Sequence, residues 1–108
     1  MCDIVARERV PSISPTESLV LDLLEAREHF GLELVETSRG SLKRGSIYVT
    51  LGRMEVKGFV ESRQEDRVAG AIGLPRRIYR PTAYGLRVRD AYRLLNEALA
   101  LRPAEARA

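Results

Sequence analysis

The chain has 108 residues, a net charge of +3, one cysteine, one histidine and no tryptophan. That length makes one domain with a modest core, in the composition of an ordinary globular protein. The lone Cys2 excludes an internal disulfide and reads as an incidental thiol, no apolar run approaches the ~20 residues of a membrane span, and "MCDIVARERVPSIS" lacks the apolar centre of a signal peptide, so a cytoplasmic location is expected.

Residues 1–13 show no clear period, contain Pro11, and read as an N-terminal tail or arm. "SPTESLVLDLLEAREHFG" predicts a helix with both ends signalled: Ser14 as N-cap, Pro15 in the first helical position, Glu17 completing a capping box and Gly31 as the stop. Leu19, Leu23, Ala26 and Phe30 share one stripe, with Val20 and Leu24 beside it, wide enough to meet a core and a second subunit. "LELVETS" reads as a short second helix with Leu32 and Val35 inward and Leu34 on the flank. "RGSLKRG" is a polar turn in which Gly40 and Gly45 admit backbone angles that other residues resist.

The third helix is expected from Ser46, its N-cap, to Lys57, with Ile47, Leu51 and Met54 as the buried stripe and Gly58 as the stop. "FVESR" alternates as a strand, "QEDRVAGAIGLPR" holds Gly70, Gly73 and Pro75 and reads as a loop or hairpin tip, and "RIYRP" is the returning strand. A long helix follows from about Thr82 to Leu101, lined on one side by Val88, Ala91, Tyr92, Leu95, Ala98 and Leu99. Two helices joined by a short turn, then a two-stranded ribbon, make a winged helix-turn-helix. The fold class is therefore mostly α with a two-stranded β-wing, divided as tail 1–13, winged helix-turn-helix 14–81, and C-terminal dimerisation helix and tail 82–108.

Enzyme chemistry finds little footing. One His and one Cys supply no tetrahedral zinc set, and neither a P-loop nor a dinucleotide glycine fingerprint occurs, so no catalysis and no cofactor are expected. His29 reads as a cation at the end of the first helix, and Glu17, Asp22, Glu25 and Glu28 as a solvated face.

Charge and the third helix point elsewhere. Residues 1–38 carry three basic residues against eight acids, residues 39–80 ten against four, and residues 81–108 five against three, so the positive excess lies in the middle of the chain. Segregated basic charge is an electrostatic footprint for nucleic acid. On a helical wheel Val49, Gly52, Arg53 and Val56 oppose the buried stripe, with Tyr48, Thr50 and Lys57 on the flanks. A major groove offers guanine acceptors to Arg53, thymine methyls to Val49, and phosphates to hydroxyls and lysines. The expected base contacts are Val49, Thr50 and Arg53; the expected backbone contacts are Lys43, Arg44, Ser46, Tyr48, Lys57, Arg76 and Arg77, with Arg67 in the hairpin loop a weaker candidate. Val49 and Val56 packing under another element is the competing reading. The stripe at Tyr92, Leu95 and Leu99 would stay exposed in a monomer, which argues for a two-fold dimer presenting two such helices about one DNA turn apart.

"GSIYVTLGRMEVKGFVESR" followed by "GLPRRIYRPTAYG" resembles the PadR-like transcriptional regulators. Gly45, Ile47 and Tyr48 match the Gly-x-Leu-Tyr opening of that family's recognition helix. Met54, Glu55, Gly58 and Phe59 match its exit into the wing, Pro75, Arg76, Arg77 and Tyr79 its second wing strand, and Thr82 and Gly85 the turn into the last helix. Pro81 departs from the pattern, standing where the family usually has an apolar residue such as Leu. The resemblance implies a homodimeric repressor on double-stranded operator DNA, joined through the C-terminal helix with help from the N-terminal one. Leu19, Leu23, Val88, Tyr92, Leu95 and Leu99 are then the expected interface. The single C-terminal helix looks like the small subclass of the family. Some small relatives bind flat aromatic drugs through tryptophan, which this chain lacks, so a small-molecule effector stays unspecified. The alternative is a winged helix that docks on proteins without reading DNA.

Overall fold

The computed structural model describes residues 10–66 and 76–100. Its elements are α1 (Pro15–Ala26), β1 (His29–Phe30), α2 (Gly31–Thr37), α3 (Ile47–Lys57), β2 (Val60–Gln64), β3 (Arg77–Pro81) and α4 (Ala83–Ala100). The mostly helical architecture with a small sheet is the winged-helix fold. Cys2, Arg67, the hairpin tip with Gly70, Gly73 and Pro75, and Leu101 all lie outside the described residues. Among the described residues no helix is long and apolar enough to cross a membrane.

The capping box forms as read: the Glu17 amide donates to Ser14 Oγ at 3.1 Å, and the Ser14 amide donates to Glu17 Oε1 at 2.9 Å. The helix then ends five residues before the expected stop. Arg27 is fully extended at the C-cap, and the chain runs on as a short strand, β1, which adds to the expected two-stranded wing and gives the antiparallel order β1-β3-β2. His29 pairs with Tyr79 and Phe30 with Ile78. Phe30 shares the helical period of Ala26 by coincidence, and pairing with β3 decides its conformation. His29 consequently lies in a strand and not in the last turn of a helix. It is buried, and its Nδ1 lies 2.8 Å from the Arg27 carbonyl, which can only accept, so Nδ1 carries the proton.

Gly31 opens α2 instead of closing α1. A Cβ at Gly31 would lie 2.6 Å from Cε1 of Tyr48, so the glycine lets the tyrosine ring of α3 lie against this corner. In α2 the inward residue is Leu34, while Leu32 is 39% exposed and Val35 partly buried. Two turns of helix are too short for period alone to choose the face.

The core gathers Val20, Leu21 and Leu24 of α1, Leu34, Leu42, the α3 stripe Ile47, Leu51 and Met54, then Phe59, Val60, Tyr79 and Val88. Leu21 replaces Leu19 and Leu23 at the centre of the α1 face, where the helix packs against both β3 and α4; Leu19 and Leu23 sit partly buried. Leu42 is buried inside the turn read as polar, its amide donating to Ser38 Oγ at 2.9 Å. Gly40 uses a positive φ of 91° and Arg39 another of 53°, whereas Gly45 uses none. Pro81 keeps its register opposite Val60 and ends β3. Thr82 then caps α4, its Oγ1 accepting the Gly85 amide at 2.9 Å and donating to the Gly58 carbonyl at 2.6 Å.

Candidate nucleic-acid interface

Ile47, Leu51 and Met54 fix α3 to the core, and Gly58, in the left-handed region at φ 83°, sends the chain into β2. Ser46 holds the N-cap position, but its side chain makes no capping bond. The Ile47 amide donates to the Lys43 carbonyl at 3.0 Å, while the amides of Tyr48 and Val49 have no backbone acceptor among the described residues. Two free amides at a helix start are suited to a phosphate oxygen.

The face of α3 opposite the core is open. Tyr48 and Val49 are about half exposed, at 53% and 56%, Thr50 is half-buried, and Gly52 and Arg53 are exposed. Val56 is 90% exposed, so none of the described residues packs over it. A Cβ on Gly52 would meet nothing within 4 Å. Among the described residues Lys43 and Arg44, in the turn before α3, and Arg53, on its open face, have no ion-pair partner.

The other sequence candidates are engaged within the chain. Lys57 Nζ donates to both oxygens of Glu17, each at 3.0 Å, and to the Ser12 carbonyl at 3.1 Å. Arg76 lies over the Phe30 ring, 3.8 Å from its centroid, and pairs with Glu65 at 2.9 Å; the hydrogen bond to that carboxylate raises the guanidinium pKa further above its ordinary value. Arg77 donates to Ser62 Oγ at 3.0 Å. Burial pushes the Tyr79 phenol up, and the backbone hydrogen bond from the Phe30 amide to Glu33, 2.8 Å long, holds that carboxyl below its ordinary value.

Of the acidic residues read as a solvated face, Asp22 and Glu25 are exposed and Glu17 is not, and all four make ion pairs within the chain. Glu17 is buried under Lys57, and Glu28 pairs with Arg63 of β2 at 2.6 Å. Asp22 and Glu25 hold the buried Arg89 of α4, at 3.0 and 2.7 Å, and Arg93 adds a contact to Asp22 at 2.9 Å. The hydrogen bond to Glu25 leads the effects that raise the Arg89 pKa. Sequence reasoning missed Arg89. The signal was its place at i+4 from Gly85 and beside Val88, on the inward stripe where an apolar residue belongs.

Of the interface candidates, Val88 is spent in the chain's own core. Tyr92 is partly buried, and its hydroxyl donates to the Pro11 carbonyl at 2.7 Å. Leu95 and Leu99 are exposed, at 49% and 72%, and Leu94, not singled out in the sequence, joins them at 68%. Leu19 and Tyr92 line a groove between α1 and α4.

The family model described as "Transcriptional regulator PadR-like family" matches residues 20–91. No curated protein matches the sequence. Several solved structures do. A PadR family transcriptional regulator from Eggerthella lenta is 26% identical, with a TM-score of 0.66 over 78% of this chain and 73% of that one. A PadR family transcription regulator from Clostridium difficile is 22% identical, with a TM-score of 0.60 over 80% and 95%. Bacillus subtilis PadR in complex with operator DNA is 20% identical, with a TM-score of 0.65 over 73% of this chain and 47% of that longer one.

Proposed function

The chain belongs to the PadR-like family of transcriptional regulators, and from that premise we propose that it binds operator DNA sequence-specifically as a homodimer and acts as a repressor. The observation that carries this reading is the outer face of α3. It combines exposed Val49, Gly52 and Arg53 with unpaired cations and two free amides at the helix start. A protein surface without a partner gains little from exposing two valines beside an arginine, whereas a major groove meets each group with a matching one. Arg53, Thr50 and Val49 read bases; Lys43, Arg44, Ser46 and Tyr48 hold the phosphates around the helix start. Arg76 and Arg77 approach the backbone from the base of the wing. The operator complex of the Bacillus subtilis relative supports DNA as the partner.

The exposed leucines of α4 support a dimer made through that helix, with Leu19 and Tyr92 at the edge of the contact. Two-fold pairing then sets two copies of α3 against half-sites about one helical turn apart. Gel-shift titration against the DNA upstream of the chain's own gene, at two salt concentrations, tests the proposal. Binding that weakens steeply with salt is expected; absent or salt-insensitive binding would favour a protein-docking winged helix instead.

A further inference from the structure

Lys57 is the last residue of α3, directly before the turn into β2. Its ammonium group is fully occupied inside the chain. Both Glu17 oxygens stand at 3.0 Å and the Ser12 carbonyl at 3.1 Å, which accounts for all three N–H donors, and the Phe59 ring centroid lies 5.4 Å away. Glu17 is only 4% exposed and is already fixed by its capping box with Ser14. A phosphate drawing Lys57 outward would strand that buried carboxylate without its cation, which is more costly than losing a surface pair. The strap before α1 is held from a second side as well, because Tyr92 of α4 donates to Pro11, next to Ser12.

We infer that Lys57 is a positioning residue for DNA readout: through Glu17 and Ser12 it fixes the angle of α3 against α1 and the strap, and it does not neutralise a phosphate. This rests on the DNA-binding reading above. The two roles give opposite signs for one substitution. If Lys57 served a phosphate, Glu17→Gln would release the ammonium group and tighten binding. If it positions the helix, Glu17→Gln loosens α3 and weakens binding, while glutamine still completes the capping box and keeps α1 folded.

The experiment is an equilibrium titration of an upstream operator fragment over a salt series, using the parent, Glu17→Gln, Lys57→Gln, Lys57→Arg and the Glu17→Gln/Lys57→Gln pair. Circular dichroism confirms that each is folded at the temperature used. A parent with no salt-dependent DNA binding overturns the DNA-binding reading itself. With a parent that binds, each glutamine variant is expected to lose affinity about tenfold. The double variant should lose no more than either single one, as for two ends of one contact, and the salt slope should stay at the parental value. Lys57→Arg, which keeps the pair, should recover most of the loss. Glu17→Gln binding as well as or better than the parent, or Lys57→Gln flattening the salt slope by about one unit, would overturn the inference. Should Lys57→Gln fail to fold, the sign of the Glu17→Gln effect decides it alone.

Discussion

Arg89 of α4 is 3% exposed and donates to Glu25 of α1 at 2.7 Å, so a buried cation joins the helix proposed for dimerisation to the first helix of the winged-helix unit. Asp22, Glu25 and Asp90 around it keep 42–57% of their side chains exposed and can return to water if the arginine is removed. Arg89→Ala should therefore destabilise the fold by about 2 kcal/mol, from lost packing and charge-assisted hydrogen bonds, without stranding a buried anion. Arg89→Met, which keeps the aliphatic volume, should lose about half of that. Urea unfolding at fixed protein concentration measures both. Equal losses would mean that the charge, and not the volume, carries the contact.

Much of this arrangement was legible in the sequence. Ser14, Pro15 and Glu17 marked the start of α1, and the Ile47, Leu51 and Met54 period with Gly58 defined α3 to the residue, because these signals are local hydrogen bonding and helical geometry. The third strand was not legible. His29 and Phe30 adopt it only because β3, some fifty residues on, offers an edge, and no local signal separates them from a last helical turn. The site divided in the same way. Exposure of Val49, Arg53 and Val56 followed from the period, and Val56, 90% exposed, is packed under none of the described residues. The engagement of Lys57 by Glu17, forty residues away, depends on tertiary packing and could not be read from either residue.

Two glycines should respond oppositely to alanine. A Cβ at Gly85 would lie 2.2 Å from the Phe59 carbonyl oxygen and 2.8 Å from its Cα, a clash with backbone, so Gly85→Ala should cost about 2–4 kcal/mol in thermal or urea unfolding. Gly52 sits inside α3 with open space around it, so Gly52→Ala should stabilise the fold by about 0.5–1 kcal/mol. If DNA approaches this helix closely, the same methyl should weaken operator binding. A Gly52→Ala protein that is more stable and binds DNA unchanged would place the helix further from the groove than proposed.

The exposed leucines of α4 make the dimer testable. Leu95→Glu and Leu99→Glu place a charge on side chains that the chain itself leaves 49% and 72% exposed, so the monomer fold should survive. Sedimentation velocity should show the parent as a dimer and the double variant as a monomer with an unchanged circular dichroism spectrum. Operator affinity should fall as the second half-site contact is lost. A double variant that remains dimeric would move the interface away from α4.

The central claim is that Arg53, unpaired on the open face of α3, reads a base. Its most direct test is selection of bound sequences from random DNA by the parent and by Arg53→Ala. The parent should recover a two-fold symmetric sequence with half-sites about one helical turn apart. Arg53→Ala should lose the preference at one base pair in each half-site, with about 1–3 kcal/mol less affinity for the parental sequence and the remaining positions kept. Recovery of the same sequence with the same preferences by both proteins would contradict the account.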